Sequence, residues 1–285
     1  MRIASIDIGT NAVKAKIFDT SATLIKFVKS VRSPIRLGQE VFIDGEIPKQ
    51  KLTQLIGILK EYQNLFAKED VKEYEIVATC AFRDTSNSED ARRLIEQAIE
   101  HPIRIISGLE EAKLIRFHPK SEKNNSNLFI DLGGGSTELF MKQKDKVLIA
   151  SFNLGAVRNM LSVDKKNEWQ RLERFLSKLP TPKKLIGIGG NIRSFLDAHN
   201  VESMSSKQFQ KYSAKMAQLT YKDKIKEFNF SDDRADVIDY AMEIFNFILM
   251  HSSCNKIKAT KWGVSDSIAV KMFHEMYSKK IKIIS

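Results

Sequence analysis

A chain of 285 residues has room for one large domain or two of ordinary size. With 42% hydrophobic and 28% charged residues it reads as a soluble globular protein with real cores, not a fibre or a disordered tail. The formal charge of +11 either attracts polyanions or forms a Lys-rich solvated face; with no arginine-glycine tract, zinc-finger spacing or aromatic RNA-binding motif, nucleic acid is not an expected partner.

Residues 2–8 read as a short apolar strand ending at Asp7. An Asp at that place interrupts the apolar run a signal peptide needs, so secretion is not expected. Strands follow at 12–19 and 22–31. Residues 49–67 carry Leu52, Leu55, Ile56, Leu59, Tyr62 and Leu65 at helical spacing. A strand at 75–79, a helix at 88–100 and a strand at 103–106 come next, and another helix starts after Ser107. Residues 120–127 are polar and read as a linker, which divides the chain into 1–123 and 124–285.

Beyond the linker the same order begins again. Residues 128–131 form a strand ending in Asp, followed by a glycine turn and two more strands to about residue 152. Helices are expected over 167–179, 190–198, 206–221 and 233–250, with a strand at 184–188. Strands alternating with helices indicate α/β lobes with mixed sheets. Residues 241–250 are too short and too polar, with Glu243 and Asn246, for a membrane span, which needs roughly 18 apolar residues. Tyr240, Ile244, Phe245, Phe247 and Ile248 face a core by helical spacing. Cys80 and Cys254 read as buried reduced thiols, which points to the cytoplasm. The five histidines show no ligand spacing, so no zinc site is expected.

The restart is an internal repeat: Asp7-Ile8-Gly9-Thr10-Asn11-Ala12 parallels Asp131-Leu132-Gly133-Gly134-Gly135-Ser136. A carboxylate at the end of a buried strand is placed to hold a hard cation such as Mg²⁺ or Mn²⁺. The glycines let backbone N–H groups approach phosphate oxygens closely, and Ser136 and Thr137 add hydroxyls. One such turn is equally a plain hairpin; two matching copies favour phosphate binding. A third glycine turn, with Gly187, Gly189 and Gly190, precedes a helix and is either a phosphate contact or only a strand-to-helix turn. Ser107 and Glu110 fit a capping box at a helix start. Glu111 points about 100° away around the helix; it is either a solvated first-turn Glu or a general base.

Taken together, the motifs resemble the exopolyphosphatase / guanosine pentaphosphate phosphatase (Ppx/GppA) family of the actin-like ATPase superfamily. The matching stretches are 7–11, 36–38, 78–84 with Asn87, 106–115, 131–138, 154–158, 187–190 and 234–238, in the family's order over nearly the whole chain. The resemblance implies a short two-domain form: two ribonuclease-H-like α/β lobes around a central cleft. It implies removal of terminal phosphate from inorganic polyphosphate or guanosine pentaphosphate. By motif position Glu111 is the catalytic base and Glu138 the second catalytic carboxylate, with Asp7 and Asp131 on the metal. Gly9, Thr10, Asn11, Arg83, Gly133, Gly134, Gly135, Ser136, Thr137, Gly189 and Gly190 fall to phosphate binding, and Arg234 to nucleotide binding.

The expected cofactor is Mg²⁺ or Mn²⁺. The expected partners are polyphosphate or guanosine penta- or tetraphosphate, with no membrane; a homodimer is left open. The sequence departs from the family at Ala12, Lys14, Asn191 and 267–271, which touches substrate range more than core chemistry. Those departures keep a second reading alive, a non-catalytic sensor of guanosine tetra- or pentaphosphate or of polyphosphate. An ATP-dependent kinase is a third, opposed by the 106–115 match.

Overall fold

A computed structural model describes residues 1–121 and 126–284 of the chain. Contacts divide it into two units. The first is Met1–Ser107 with the C-terminal segment from Val264; the second is Gly108–Gly263.

The first unit has a five-stranded sheet: β1 (Arg2–Ile8), β2 (Ala12–Thr20), β3 (Ile25–Pro34), β4 (Val71–Ala78) and β5 (Ile103–Ile105), in the order β3-β2-β1-β4-β5. The first three form an antiparallel meander; β4 and β5 run parallel to β1. β1 is the centre of the sheet, and its run Ile3-Ala4-Ser5-Ile6 is fully buried, as a strand covered on both faces must be. β3 is an edge strand that carries Lys26, Lys29 and Arg32, charges of the kind that discourage pairing with another chain.

The second unit has a six-stranded sheet: β6 (Leu128–Leu132), β7 (Thr137–Gln143), β8 (Lys146–Phe152), β9 (Leu185–Ile188), β10 (Ser203–Ser205) and β11 (Lys256–Ala259). Its order, β8-β7-β6-β9-β11-β10, repeats the first sheet with β10 appended. The meander β6-β7-β8 is antiparallel, and β9 and β11 run parallel to β6. The repeat read from two short motifs is therefore a repeat of topology, and both units are mixed α/β layers as expected.

The division of the chain differs from the expected 1–123 and 124–285. That boundary falls at residues 122–125, outside the described residues. By contacts the change of unit comes earlier, at Ser107/Gly108, and the chain later returns to the first unit. The reason is packing. Helix Gly108–Leu114 lies against β7 and β8, so it belongs with the second sheet. Helix Val264–Ile284 lies against β1, β2 and β4. It is fastened there by the Ser5 hydroxyl, which donates to the Ser265 carbonyl (2.7 Å), and by Lys16 Nζ on Asp266 Oδ2 (2.6 Å).

Most helices fall close to their expected positions, but two are divided. The span 206–221 is Ser206–Met216 followed by Tyr221–Phe228, because Thr220 and Asp223 form a capping box that starts a new helix. The span 233–250 is Asp232–Ala235 and Ile238–His251. In the latter, Ile244, Phe245 and Ile248 are buried as expected, whereas Tyr240 and Phe247 are only half-buried. Among the described residues no helix is long and apolar enough to cross a membrane. Cys80 and Cys254 are buried and form no disulfide.

Candidate active site

In each unit the candidate residues gather at the carboxyl ends of the parallel strands, where an open α/β sheet leaves its loops free to bind. The two Asp-Gly hairpins have the same construction. Gly9 N–H donates to the Ala12 carbonyl at 3.1 Å, and Gly133 N–H to the Ser136 carbonyl at 3.0 Å. In the first hairpin Asp7 sits opposite Lys14; in the second Asp131 sits opposite Glu138. Directly opposed residues of an antiparallel pair send their side chains to the same face.

In the first unit Asp7 is buried. Burial pushes its carboxyl above the usual carboxylate range, and the Lys14 ammonium, 3.6 Å away, pulls the other way. The loop is anchored by its own backbone: the Asn11 carbonyl accepts from the N–H groups of Ile35 and Arg36, and the Thr10 carbonyl from that of Gly38. Arg83 lies on the short helix Cys80–Asp84, which begins where Thr79 N–H donates to the Ile8 carbonyl. Its Nη1 donates to the carbonyl of Ile106 at 3.0 Å, which places the guanidinium at the same strand ends as Asp7.

In the second unit the glycine loop is oriented by what it accepts. The Gly133 carbonyl takes the Ala156 N–H, and the Gly134 carbonyl takes those of Val157 and Arg158. The Gly135 carbonyl takes Arg158 Nε at 2.9 Å. Among the described residues every peptide bond is trans, so each of these carbonyls has the next residue's N–H on its opposite side. The N–H groups of Gly134, Gly135 and Ser136 therefore turn away from helix Ala156–Met160, as a row of donors suited to an anion. Gly155 makes this possible: a Cβ there would lie 2.5 Å from backbone atoms of Gly134 and Gly135.

The third glycine turn reaches the same place. Gly189 has φ 98°, a conformation that favours glycine, and a Cβ on it would lie 3.6 Å from Asp131 Oδ1. The Arg234 guanidinium lies on Gly190, where a Cβ would meet Nη2 at 2.4 Å, and Nη1 donates to Asn191 Oδ1. Asp131, the third glycine turn and Arg234 are thus consecutive neighbours.

The two adjacent glutamates at the start of helix Gly108–Leu114 differ as their spacing requires. Glu110 is exposed; Glu111 is 8% exposed. That helix packs on β7 and β8; β7 carries Glu138, which is 1% exposed and accepts a hydrogen bond from the hydroxyl of Ser151 on β8 at 2.9 Å. Thr137 departs from expectation. Its hydroxyl is fully buried and donates to the Leu154 carbonyl at 2.6 Å, so it braces the loop where a phosphate donor was expected.

Among the described residues no three His, Cys, Asp or Glu side chains gather in one place. The opposed pair Asp131 and Glu138 offers hard oxygen ligands. This suits Mg²⁺ or Mn²⁺, which takes one or two carboxylates and completes its shell with waters and substrate phosphate.

A family model described as the Ppx/GppA phosphatase family matches residues 16–276 of the chain. The chain belongs to that family. The solved structures agree on the fold. An exopolyphosphatase-like protein superposes with TM-score 0.84 at 21% identity, covering 96% of this chain and 98% of that one. An exopolyphosphatase from Cytophaga hutchinsonii gives TM-score 0.83 at 19% identity over 96% of this chain and 98% of that one. The Aquifex aeolicus PPX-GPPA enzyme gives 0.77 at 24% identity, covering 95% and 99%. By sequence, Exopolyphosphatase 2 of Mycobacterium tuberculosis is 28% identical over 169 residues, which is 55% of this chain and 53% of the relative. The chain thus spans about half the length of that relative.

Within this Ppx/GppA chain, four residues gain roles that motif reading did not give them. Lys14 stands opposite Asp7, Ser151 holds Glu138, Gly155 admits the glycine loop, and Arg158 holds it. Gly155 and Arg158 lie in a family motif, so a signal was present. Ser151 has none, because its partner is reached only across the β7–β8 pairing.

Proposed function

We propose that the chain is a phosphohydrolase that removes the terminal phosphate from inorganic polyphosphate or guanosine pentaphosphate by in-line attack of water. Membership of the Ppx/GppA family supports the reaction class. The observation that carries the chemistry is the opposed carboxylate pair Asp131 and Glu138, beside a glycine loop whose carbonyls are tied back to helix Ala156–Met160.

In this reading the N–H groups of Gly134, Gly135 and Ser136 bind the phosphoryl oxygens of one end of the chain. On the first unit the equivalent loop of Gly9, Thr10 and Asn11 and the Arg83 guanidinium bind phosphate in the same manner. Arg234, beside the third glycine turn, reads the remainder of the substrate. Glu111 accepts the proton of the attacking water, so that a P–O bond forms to water as the bridging P–O bond breaks. That effect is worth roughly 10²–10⁴ in rate. Glu138, held by Ser151, orients the water. Asp131 is the carboxylate of the second unit that would hold Mg²⁺ or Mn²⁺, and Asp7 is its equivalent in the first. When bound, such an ion neutralises charge on the phosphate oxygens.

The test is phosphate release from polyphosphate and from guanosine pentaphosphate, with Mg²⁺, with Mn²⁺ and with excess EDTA. Release with either ion and none with EDTA is the expected result. Full release in excess EDTA removes the metal from the scheme. Binding of both substrates with no release in any condition replaces hydrolysis with sensing.

A further inference from the structure

Glu168 is a buried carboxylate that the reaction does not use. It lies in the first turn of helix Lys166–Leu176 and is 8% exposed. A buried carboxylate is rare unless it is paired, and both oxygens of this one are engaged. Oε1 accepts from Arg171 Nη1 (2.9 Å), and Oε2 accepts from the Asn153 N–H (2.8 Å). Arg171 completes the contact. Its Nη2 donates to the Ser151 carbonyl, and its guanidinium lies over the Phe152 ring, 4.7 Å from the centroid.

Three consecutive residues, Ser151, Phe152 and Asn153, are therefore held by one pair of side chains. β8 is an edge of its sheet, paired with β7 alone among the described strands. An edge strand leaves backbone groups without partners; Glu168 and Arg171 take two of them. The helix itself is seated by Leu172 and Leu176, both buried, and by Phe175, whose ring meets Phe152 edge to face at 5.8 Å.

What this pair holds is next to the chemistry. Ser151 stands opposite Glu138, and Glu138 opposite Asp131, so the three form one row across β8, β7 and β6 with side chains on one face. The Ser151 hydroxyl donates to Glu138 Oε1 at 2.9 Å. The direction of that carboxylate thus depends on where Ser151 lies. Arg171 holds Ser151 by its carbonyl, and Glu168 holds the strand two residues further on.

We propose that Glu168 and Arg171 are positioning residues for the reaction: they clamp the end of β8 so that Ser151 fixes the direction of the Glu138 carboxylate. The proposal rests on the reading of Glu138 as the group that orients the attacking water. A displacement of about 1 Å at such a group costs on the order of 10²-fold in rate. The clamp therefore acts on turnover and not on substrate binding. Neither residue lies in a stretch that resembles the family.

The experiment is steady-state phosphate release from polyphosphate and guanosine pentaphosphate by Ser151→Ala, Arg171→Ala and Glu168→Ala, and by Ser151→Ala combined with Arg171→Ala. Each single variant should lower kcat by about tenfold or more and leave KM within about twofold. The double variant should turn over no more slowly than Ser151→Ala, because Arg171 acts through Ser151; a brace of the fold alone would multiply the two losses. The Arg171 side chain is 48% exposed, so Arg171→Ala keeps the test sound if Glu168→Ala does not fold. With the unaltered chain active, an unchanged kcat in Arg171→Ala, a loss confined to KM, or multiplied losses in the double variant would each overturn the proposal. No release by the unaltered chain would overturn the hydrolytic reading, and the role of the clamp with it.

Discussion

Asp131 and Glu138 face each other across the β6–β7 pair, and in the duplicated hairpin the place opposite Asp7 is taken by Lys14. Two copies of one structural device therefore carry different charge: carboxylate against carboxylate in the second unit, carboxylate against ammonium in the first. In the second unit two carboxylates stand opposite one another, while in the first the Lys14 ammonium lies 3.6 Å from the Asp7 carboxylate. The charge asymmetry of the two hairpins arises at this one register position.

Glu111→Gln keeps the size of the side chain and removes its proton acceptor. Turnover of polyphosphate or guanosine pentaphosphate should fall by roughly 10²–10⁴ while substrate binding persists. Glu110→Gln alters the neighbouring exposed residue and should leave turnover near that of the unaltered chain. Equal rates in the unaltered chain and Glu111→Gln would remove Glu111 from the mechanism.

Asp7→Asn should raise stability at neutral pH and lower activity. Burial raises the Asp7 carboxyl above its ordinary 3.8. The native state therefore holds this proton more tightly than the unfolded chain, and the stability this gives is lost as pH rises through the native value. At pH 7 the ionised carboxylate is a burden that Asn lacks, so the Tm advantage of Asp7→Asn should shrink as pH is lowered toward 4. A variant that melts lower than the unaltered chain at pH 7 would contradict this.

Gly155→Ala places a methyl group 2.5 Å from the Gly134 and Gly135 backbone. The loop or helix Ala156–Met160 must shift, at a cost of about 1–3 kcal/mol. Melting should fall accordingly, and KM for phosphate substrates should rise because the row of N–H donors is displaced. Unchanged melting and unchanged kinetics would show that the approach is not needed.

His118 gives a pH response in the second unit. Burial, with Lys120 nearby, lowers its pKa from 6.5 to about 4. The ring is held neutral, with Nδ1 accepting from Lys120 N–H (3.0 Å) and Nε2 at 3.1 Å from the Thr260 hydroxyl. The unfolded chain binds the proton first, so stability is full above about pH 6.5 and declines as pH falls toward 4, by on the order of 2 kcal/mol. Its NMR titration should have a midpoint near 4, and His118→Gln should flatten the fall of Tm between pH 7 and pH 5. A midpoint near 6.5 would show a solvated ring.

The sequence alone carried the strand-Asp-Gly hairpins, since an apolar strand, a carboxylate at its end and a glycine turn are all local. It also separated Glu110 from Glu111, because two adjacent helix positions cannot face the same way. The short strands Ser203–Ser205 and Lys256–Ala259 were not legible: three or four residues show no period, and only the neighbouring strand makes them a sheet.

Tertiary structure decided which sheet each helix serves. Nothing in residues 108–114 says that they pack on β7 and β8, and nothing in residues 264–284 says that they return to β1. It also turned the Thr137 hydroxyl inward onto Leu154 and put Lys14 and Glu138 at equivalent places. Local sequence fixes which groups a strand or helix carries. Which of them meet depends on contacts between residues far apart in the chain, and those form only when the apolar faces are buried together.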